Sequence, residues 1–329
     1  MELKDKVVVV TGGTAGVGYA AAEAFARAGA RTAVISRDAE RVRRTVAALQ
    51  AVGGDVHGFA LDVSDSAAVQ RAAEEIETRL GPIEVWVNNA MTTVFGRFAD
   101  MKPEEFERVT ANTYLGTVWG THAALTHMLP RNRGTIVQVG SALAHQSIPL
   151  QSAYCGAKHA VRGFTNAVRC ELVRQKSAVR LTMVQLSAFN TPQFDWARSY
   201  LEYNPRPLAP VFAPEIAARA ILRAATQPRR EYWVGWPAMK TIIGSRLLPR
   251  LADAMAARQA FDGQMSDEPS PPRDGNLFTP VPRAPGAEGR FGAETRATSA
   301  QWWITSHRLA AAVAAAAGVL VLLWAVGTV

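Results

Sequence analysis

Short apolar, β-branched runs alternate with alanine-rich stretches from residue 6 to about residue 234. The runs are mostly continuous, as expected of strands that are buried on both faces of a parallel sheet. Parallel strands need helical crossovers, so this alternation predicts an α/β fold with a doubly wound sheet and right-handed connections. The predicted strands are residues 7–11, 32–36, 56–61, 85–88, 135–139, 180–186 and 232–234.

A glycine-rich turn follows the first predicted strand. The sequence from Thr11 to Gly18 reads TGGTAGVG and leads into a helix. Glycine at positions 12, 16 and 18 permits a tight turn and close approach of the backbone to a pyrophosphate. The N-terminus of the helix then offers N–H groups and the positive end of its dipole to the phosphates. A glycine pattern alone is weak evidence, but the strand–turn–helix context is the one that dinucleotide binding requires.

Residues after the next three strands extend the predicted cofactor site. Arg37 follows the second strand, where an acidic residue would bind the 2′-hydroxyl of NAD; a guanidinium there favours the 2′-phosphate of NADP(H). A solvated arginine is the alternative. Asp62 follows the third strand, in reach of the adenine edge, and Asn89 and Ala90 follow the fourth, under the cofactor. We therefore expect NADP(H) to be preferred, with NAD(H) as the second choice.

Tyr154 and Lys158 begin a long predicted helix at positions i and i+4, so they share one face. An ammonium near a phenol stabilises the phenolate and lowers the pKa of the tyrosine, which makes it an acid–base near neutral pH. Ser141, just past the fifth strand, could hold a substrate oxygen in line with Tyr154. The spacing is common on helices and carries weight only because it occurs with the glycine turn, in this order.

Together these motifs resemble the short-chain dehydrogenase/reductase family over roughly residues 1–240. The resemblance implies a Rossmann-type fold with a seven-stranded sheet, hydride transfer between a nicotinamide and a carbonyl or alcohol carbon, and dimers or tetramers. The matching residues are Thr11 to Gly18, Asp62, Val63, Asn88, Asn89, Ala90, Asn112, Ser141, Tyr154, Lys158 and Thr191.

The resemblance also implies roles for individual residues. Tyr154 would transfer the proton, Ser141 would orient the carbonyl, Lys158 would also bind the nicotinamide ribose, and Asn112 would hold a water that relays protons to Lys158. The implied cofactor-binding residues are Thr11, Gly12, Thr14, Gly16, Val17, Gly18, Arg37, Asp62, Val63, Asn89, Ala90, Tyr154, Lys158 and Thr191.

The sequence departs from the family pattern at two places near the predicted nicotinamide site. Met91 stands where the family usually has glycine after Asn-Asn-Ala, and Leu186-Ser187 replaces the usual Pro-Gly ahead of Thr191. Thr191 keeps its spacing. These departures leave the shape of the nicotinamide site open.

Two later segments break the strand–helix rhythm. Residues 190–212 hold four prolines together with aromatic residues that include Phe194 and Trp196, and they predict a lid over the substrate. A surface excursion with a small core of its own is the alternative. Residues 263–300 are rich in Pro, Gly, Glu and Arg, so they predict a flexible linker after a catalytic domain of residues 1–262.

The C-terminal residues predict a membrane anchor. Residues 309–329 carry no charge, and a helix of that length spans about 31 Å, the thickness of the hydrocarbon core. Trp302 and Trp303 suit the membrane interface and Arg308 the inner side. We therefore expect a transmembrane helix over residues 301–329 with the catalytic domain on the cytoplasmic face; a docking or oligomerising helix is the alternative.

The composition bears on other kinds of site. The net charge is +8, with eight basic side chains between residues 219 and 258, but neither an aromatic-basic stacking platform nor a helix-turn-helix pattern favours nucleic acid. A basic surface facing anionic lipid fits better, with a solvated basic face as the alternative.

The six histidines lack paired metal-ligand spacing, so we expect no metal. Cys155 and Cys170 lie too far apart on one predicted helix for a disulfide, and the N-terminus does not predict a signal peptide.

The leading hypothesis is an NADP(H)-dependent oxidoreductase that is tethered to a membrane and acts on a hydrophobic carbonyl or alcohol. The alternative is a membrane-tethered NADP(H)-binding scaffold or redox sensor with weak or no turnover. A scaffold needs no acid–base group, so the intact set of Asn112, Ser141, Tyr154 and Lys158 argues against it.

Overall fold

A parallel sheet of seven strands lies at the centre of the fold. The computed structural model describes residues 2–307. The strand order is β7-β6-β5-β4-β1-β2-β3, and every neighbouring pair is parallel. The order reverses between β1 and β4, which opens a crevice at the carboxyl ends of these strands. The bounds are β1 Val7–Thr11, β2 Arg31–Ser36, β3 Asp55–Ala60, β4 Ile83–Asn88, β5 Thr135–Ser141, β6 Arg180–Leu186 and β7 Glu231–Val234.

Helices cover both faces of the sheet. One core cluster joins β1 to α1 and α8, and the other joins the opposite face of β1 to α3, α5 and α6. A π-helical segment, Thr110–Leu115, connects α4 to α5, and a second one, Ala256–Ala260, follows α10. The helix bounds are α1 Gly16–Arg27, α2 Ala39–Ala51, α3 Ser66–Leu80, α4 Pro103–Val109, α5 Gly116–Arg131, α6 Ser152–Arg174, α7 Gln193–Trp196, α8 Pro214–Thr226, α9 Trp236–Leu247, α10 Pro249–Met255 and α11 Ala300–Ser306.

The predicted Rossmann-type sheet is confirmed. Each predicted strand overlaps an observed one, and their ends differ by at most two residues. The prediction succeeded because the central strands are buried on both faces: every residue of β1 and of β4 is buried. A strand with this environment needs a continuous apolar run, and such a run can be recognised in the sequence.

The segment predicted as a flexible linker packs against the catalytic fold instead. Met265–Pro269 pairs with Tyr203–Pro205, and Thr295–Arg296 pairs with Val211–Phe212. Leu277 is completely buried. The prediction was wrong because single apolar side chains and backbone hydrogen bonds hold this segment, and neither leaves a periodic pattern in the sequence.

The first turns of the predicted transmembrane helix also belong to the folded domain. Trp302 of α11 is buried, with its ring 6.0 Å from that of Tyr232 on β7. The prediction that Trp302 lies at a membrane interface is therefore wrong, whereas Trp303 is exposed. None of the helices between residues 2 and 307 has the length and apolarity to cross a bilayer. The rest of the predicted transmembrane helix, residues 308–329, lies outside the described residues.

The proline-rich segment 190–212 forms α7 and several two- or three-residue strands. Phe194 packs between Phe95 and Phe291, with ring centroids 5.9 and 5.8 Å apart. The segment thus shares a small core with residues from outside it, and this differs from the alternative of a surface excursion with a core of its own. Phe194 and Trp196 also line the cavity described below.

Candidate active site

A cavity of about 950 Å³ opens at the carboxyl ends of the sheet strands. It extends from the glycine turn to α9 and α10. Of the predicted site residues, only Thr11 and Asp62 stand back from its wall. The residues in the wall are Gly12, Thr14, Gly16, Val17, Gly18, Arg37, Val63, Asn89, Ala90, Asn112, Ser141, Tyr154, Lys158 and Thr191.

Two glycines of the turn, Gly12 and Gly18, have no room for a side chain. Gly12 has a φ of +65°, and a Cβ there would lie 2.8 Å from Ala90 Cα. A Cβ on Gly18 would lie 2.1 Å from the carbonyl oxygen of Gly12. The turn therefore brings bare backbone to the cavity wall at the N-terminus of α1, the arrangement in which a helix end binds phosphate.

Two residues of the predicted cofactor set support this turn from behind. Asn89 Nδ2 donates to the carbonyl oxygens of Thr11, at 3.0 Å, and Gly12, at 3.3 Å. Thr11 Oγ1 accepts hydrogen bonds from the backbone N–H groups of Asn89 and Ala90. Thr11 and Asn89 thus fix the position of the turn by hydrogen bonds that join β1 to β4.

Asp62 is held by protein partners. Its Oδ1 accepts from the backbone and the hydroxyl of Ser64, and its Oδ2 accepts from Arg108. Burial by itself would raise the pKa of Asp62, but these hydrogen bonds outweigh it and hold the pKa below its usual value. Asp62 therefore stays ionised and anchors Arg108, which also donates to Leu277.

The guanidinium of Arg37 binds backbone carbonyls. It donates to Asn276 at 2.6 Å, to Leu277 at 3.1 Å and to Phe278 at 3.4 Å. Arg37 lies at the predicted position, after β2, and it lines the cavity. The N–H donors of Arg37 are, however, already bound to carbonyl oxygens of residues 276–278 near the C-terminus. A 2′-phosphate would compete with these carbonyls for the same donors.

We call residues 276–291 the tail. It follows the rim of the cavity from Arg37 to Thr191. Gly286 accepts a hydrogen bond from the N–H of Gly16 at 2.9 Å. Gly289 packs so closely on Thr191 that a Cβ on Gly289 would lie 2.5 Å from the Thr191 carbonyl oxygen. The tail thus contacts the predicted cofactor groove at Arg37 and again where Gly16 and Thr191 meet.

Arginine side chains fix the middle of the tail. Arg41 on α2 donates to the carbonyl oxygens of Val281 and Arg283. Arg283 in turn forms an ion pair with Asp195 on α7, at 2.7 Å. Sequence reasoning missed these contacts because an arginine that binds a carbonyl looks the same in the sequence as a solvated one.

The predicted catalytic residues converge on one wall of the cavity. Ser141 is the last residue of β5, and Tyr154 and Lys158 occupy the first two turns of α6. Ser141 lies close enough to Tyr154 to lower the pKa of its hydroxyl. Lys158 Nζ donates to the carbonyl oxygen of Val139 at 2.7 Å and lies 5.6 Å from the centre of the Tyr154 ring.

Asn112 lies in the π-helical segment between α4 and α5. Such segments are frequent at functional sites because the extra residue redirects side chains and carbonyls. Asn112 is buried, and its Oδ1 has no hydrogen-bond partner among the described residues. A buried, unpaired amide oxygen beside a cavity is suited to bind a water molecule, which is the role that the family resemblance implies.

Burial dominates the electrostatics of the Tyr154–Lys158 pair. It raises the pKa of Tyr154, and the neighbouring Ser141 only partly opposes this. It lowers the pKa of Lys158 to about 8. The prediction that Lys158 lowers the pKa of Tyr154 is therefore wrong, because burial raises this pKa instead. Lys158 is still mainly protonated at pH 7, so its charge is available when a proton leaves Tyr154.

The buried ammonium predicts a pH-dependent stability cost. The pKa of Lys158 falls from 10.5 to about 8 on folding, so a charged Lys158 opposes folding below pH 8, and this cost fades as the pH rises towards 10.5. Lys158→Met removes this cost, which stabilises the protein by about 3 kcal/mol. It also removes the hydrogen bond of Lys158, which destabilises the protein by about 1 kcal/mol. We expect the variant to be about 2 kcal/mol more stable at pH 7.

Urea unfolding of the wild type, Lys158→Met and the exposed-lysine control Lys4→Met at several pH values measures this difference. The advantage of Lys158→Met should shrink between pH 8 and 10.5, and Lys4→Met should match the wild type throughout. A less stable Lys158→Met at pH 7 would contradict the assignment of Lys158 as a destabilising buried charge.

Sequence reasoning missed the far wall of the cavity. Residues of α9 and α10 line it, as does buried Gln151, whose Nε2 donates to Gln264 Oε1 at 2.6 Å. The three positions where the sequence departs from the family pattern, Met91, Leu186 and Ser187, also line the cavity. The apolar residues of α9 could have indicated this wall in the sequence, but the basic residues among them obscured the pattern.

Comparison with known proteins agrees with this geometry. A family model described as short chain dehydrogenase matches residues 6–199. An uncharacterized oxidoreductase of Bacillus subtilis, YxnA, is 32% identical over 275 residues, which cover 83% of this chain and 77% of the relative.

Solved structures give the same result. A metagenomic short-chain oxidoreductase in complex with NADP is 26% identical, with a TM-score of 0.60 over 71% of this chain and 98% of its own. A short chain dehydrogenase/reductase from Burkholderia phymatum in complex with NAD has a TM-score of 0.68 over 77% of this chain and 97% of its own. At 23% identity, the second likeness shows the fold alone.

Proposed function

Because the chain belongs to the short chain dehydrogenase family, we propose that it is an NADP(H)-dependent oxidoreductase that acts on a hydrophobic carbonyl or alcohol. One observation carries the proposal: Ser141, Tyr154 and Lys158 face the same cavity as the glycine turn, where Gly12 and Gly18 leave no room for a side chain. A dinucleotide on the turn and a carbonyl at Tyr154 would therefore share one enclosed space. A scaffold or sensor would not need this acid–base group.

The groove fits a dinucleotide. The N–H of Val17, at the start of α1, has no partner among the described residues and is free for a phosphate. Thr191 lies beside Gly16 at the same turn, and Lys158 faces the same cavity. When bound, NADPH would supply the hydride that the substrate carbon receives.

The chain's own residues would handle the proton. In the reductive direction Tyr154 gives its hydroxyl proton to the substrate oxygen, while Ser141 donates a hydrogen bond that orients this oxygen. The ammonium of Lys158 stabilises the phenolate that forms. A water on Asn112 Oδ1 would connect Lys158 to solvent, from which Tyr154 regains its proton. In the oxidative direction the same groups act in reverse.

The far part of the cavity supports an apolar substrate. Phe194 and Leu208 on one side and Leu251 and Met255 on the other line it. Apolar linings of this kind bind apolar groups and leave orientation to a few polar atoms. The charge-free residues 309–329 support membrane attachment, which would place the enzyme near such substrates. We keep this tether, a cytoplasmic catalytic domain and a dimer or tetramer as parts of the proposal.

Turnover measurements test the proposal. The full chain with NADPH should reduce medium-chain aldehydes or cyclic ketones with a higher kcat/KM than small polar carbonyls such as pyruvate. Activity only on the polar compounds would overturn the hydrophobic substrate and leave the oxidoreductase standing. Binding of NADPH without turnover of any carbonyl or alcohol would instead favour the scaffold.

Arg37→Met separates two roles of this arginine. If Arg37 reads the 2′-phosphate, the variant should lose about tenfold in NADPH affinity, or about 1.4 kcal/mol, with NADH affinity unchanged. If it only holds the tail, both affinities should change together. Calorimetry with both cofactors measures this. Arg108→Met, which also loses a tail contact, is the matched control and should not discriminate between the cofactors.

A further inference from the structure

Helices α9 and α10 present apolar side chains to solvent. Trp236, Ile243 and Leu247 follow one another at helical spacing along α9 and are exposed. Leu251 and Met255 on α10 are exposed as well. Surface helices normally turn their apolar side inward and polar residues outward. A contiguous apolar surface of this kind indicates contact with an apolar partner. We call it the helical patch.

Positive charges surround the helical patch. Lys240, Arg246, Arg250 and Arg258 are exposed, and none of them forms an ion pair with a described residue. The one acidic residue within α9 and α10 is Asp253. Apolar side chains among unpaired basic ones are typical of helices that lie in the interface of an anionic bilayer.

The active-site cavity opens inside this patch. Lys240, Leu248, Leu251 and Met255 are exposed to solvent and also belong to the cavity wall. A flat surface laid against the patch would therefore cover the mouth of the cavity. An apolar compound dissolved in that surface could reach Tyr154 without crossing water.

We propose that the helical patch docks on an anionic lipid surface and that the active site takes its substrate from that surface. The second half rests on the proposed function; the docking does not. The main alternative occupant of the patch is a second copy of this chain. A twofold interface would bring the patch against itself and place its unpaired cations opposite one another. Anionic headgroups neutralise them instead.

The position of helix α11 also supports a lipid surface on the side of the helical patch. Gln301 Oε1 accepts a hydrogen bond from the N–H of Gly235, the residue before α9. Helix α11 is thereby fixed next to the start of the helical patch. The charge-free residues 309–329 follow in sequence only a few positions later. A lipid surface at the patch would therefore lie on the side of the molecule where the described chain ends.

A local fluorescence measurement on the full chain tests the docking. An environment-sensitive fluorophore is attached at Leu247→Cys in a Cys170→Ser background, since Cys155 is buried. Leu247 is 72% exposed and is not part of the cavity wall. The matched control is Val173→Cys on α6, a position that is also 72% exposed.

On vesicles of phosphatidylcholine with phosphatidylserine, the label at position 247 should shift to the blue and the label at 173 should not. Lys240→Gln, Arg246→Gln and Arg250→Gln should weaken docking about fivefold for each charge removed. The control changes Arg71→Gln, Arg174→Gln and Lys176→Gln, at exposed positions elsewhere, should leave docking unchanged.

Three results would overturn the docking proposal: no shift at position 247, equal shifts at both positions, or a shift that depends on protein concentration without vesicles, which would indicate a second copy. The readout needs neither cofactor nor substrate. An enzyme that docks but turns over no carbonyl would therefore contradict the proposed function and leave the docking intact.

Discussion

Tyr154→Phe is expected to lower kcat by about a thousandfold while the affinity for NADPH stays within about twofold of the wild type. Positioned proton donors contribute roughly a hundredfold to ten-thousandfold to such reactions. The variant removes only the hydroxyl, so the shape of the cavity wall is kept. Steady-state kinetics with the best carbonyl substrate, together with calorimetry for NADPH, measure the two quantities.

The matched control is Tyr114→Phe. Tyr114 lies in the π-helical segment, packs on Phe164 and is absent from the cavity wall. It should keep wild-type turnover. Full activity of Tyr154→Phe would show that another group gives the proton. Equal loss of cofactor affinity and turnover would assign Tyr154 a binding role instead.

Gly289→Val is expected to speed the release of NADPH on the order of a hundredfold. The added side chain meets the Thr191 carbonyl and forces the tail away from the groove. Three hydrogen bonds depend on this contact: Gly289 N–H to Asn190 O, Phe291 N–H to Asn190 Oδ1, and Gly16 N–H to Gly286 O. At about 1 kcal/mol each, their loss lowers the cost of opening the tail by about 3 kcal/mol.

Stopped-flow displacement of NADPH measures its dissociation rate. Gly292→Val is the control, because a Cβ on Gly292 meets nothing within 4 Å, and its release rate should equal that of the wild type. An unchanged rate in Gly289→Val would mean that the cofactor leaves without displacement of the tail. A single cooperative unfolding transition in urea would show that the rest of the fold is kept.

The sequence predicted the parts of the site that belong to single, buried elements. The glycine turn could be found because Gly12 and Gly18 occupy positions where a side chain collides with backbone. Tyr154 and Lys158 could be found because helical geometry alone places them on one face. Both signals are local, and they depend on only a few adjacent residues.

The sequence did not predict what Arg37 and Trp302 contact. Each residue type fitted its predicted role: a guanidinium suits a phosphate, and a tryptophan suits a membrane interface. In the structure Arg37 binds tail carbonyls about 240 positions away, and Trp302 packs on Tyr232. Such partners are chosen by which surfaces the folded chain brings together, and no local pattern records them.

The amino-acid sequence by itself therefore determined the sheet, its strand positions and the placement of Tyr154 and Lys158 on one helix face, because burial on both faces and helical spacing constrain neighbouring residues directly. Only the tertiary structure decided that residues 276–291 run along the cofactor groove and that the cavity opens between α9 and α10. These features arise from contacts between distant segments through backbone atoms and single side chains. Backbone atoms are the same at every position, so the sequence carries almost no trace of where they bind.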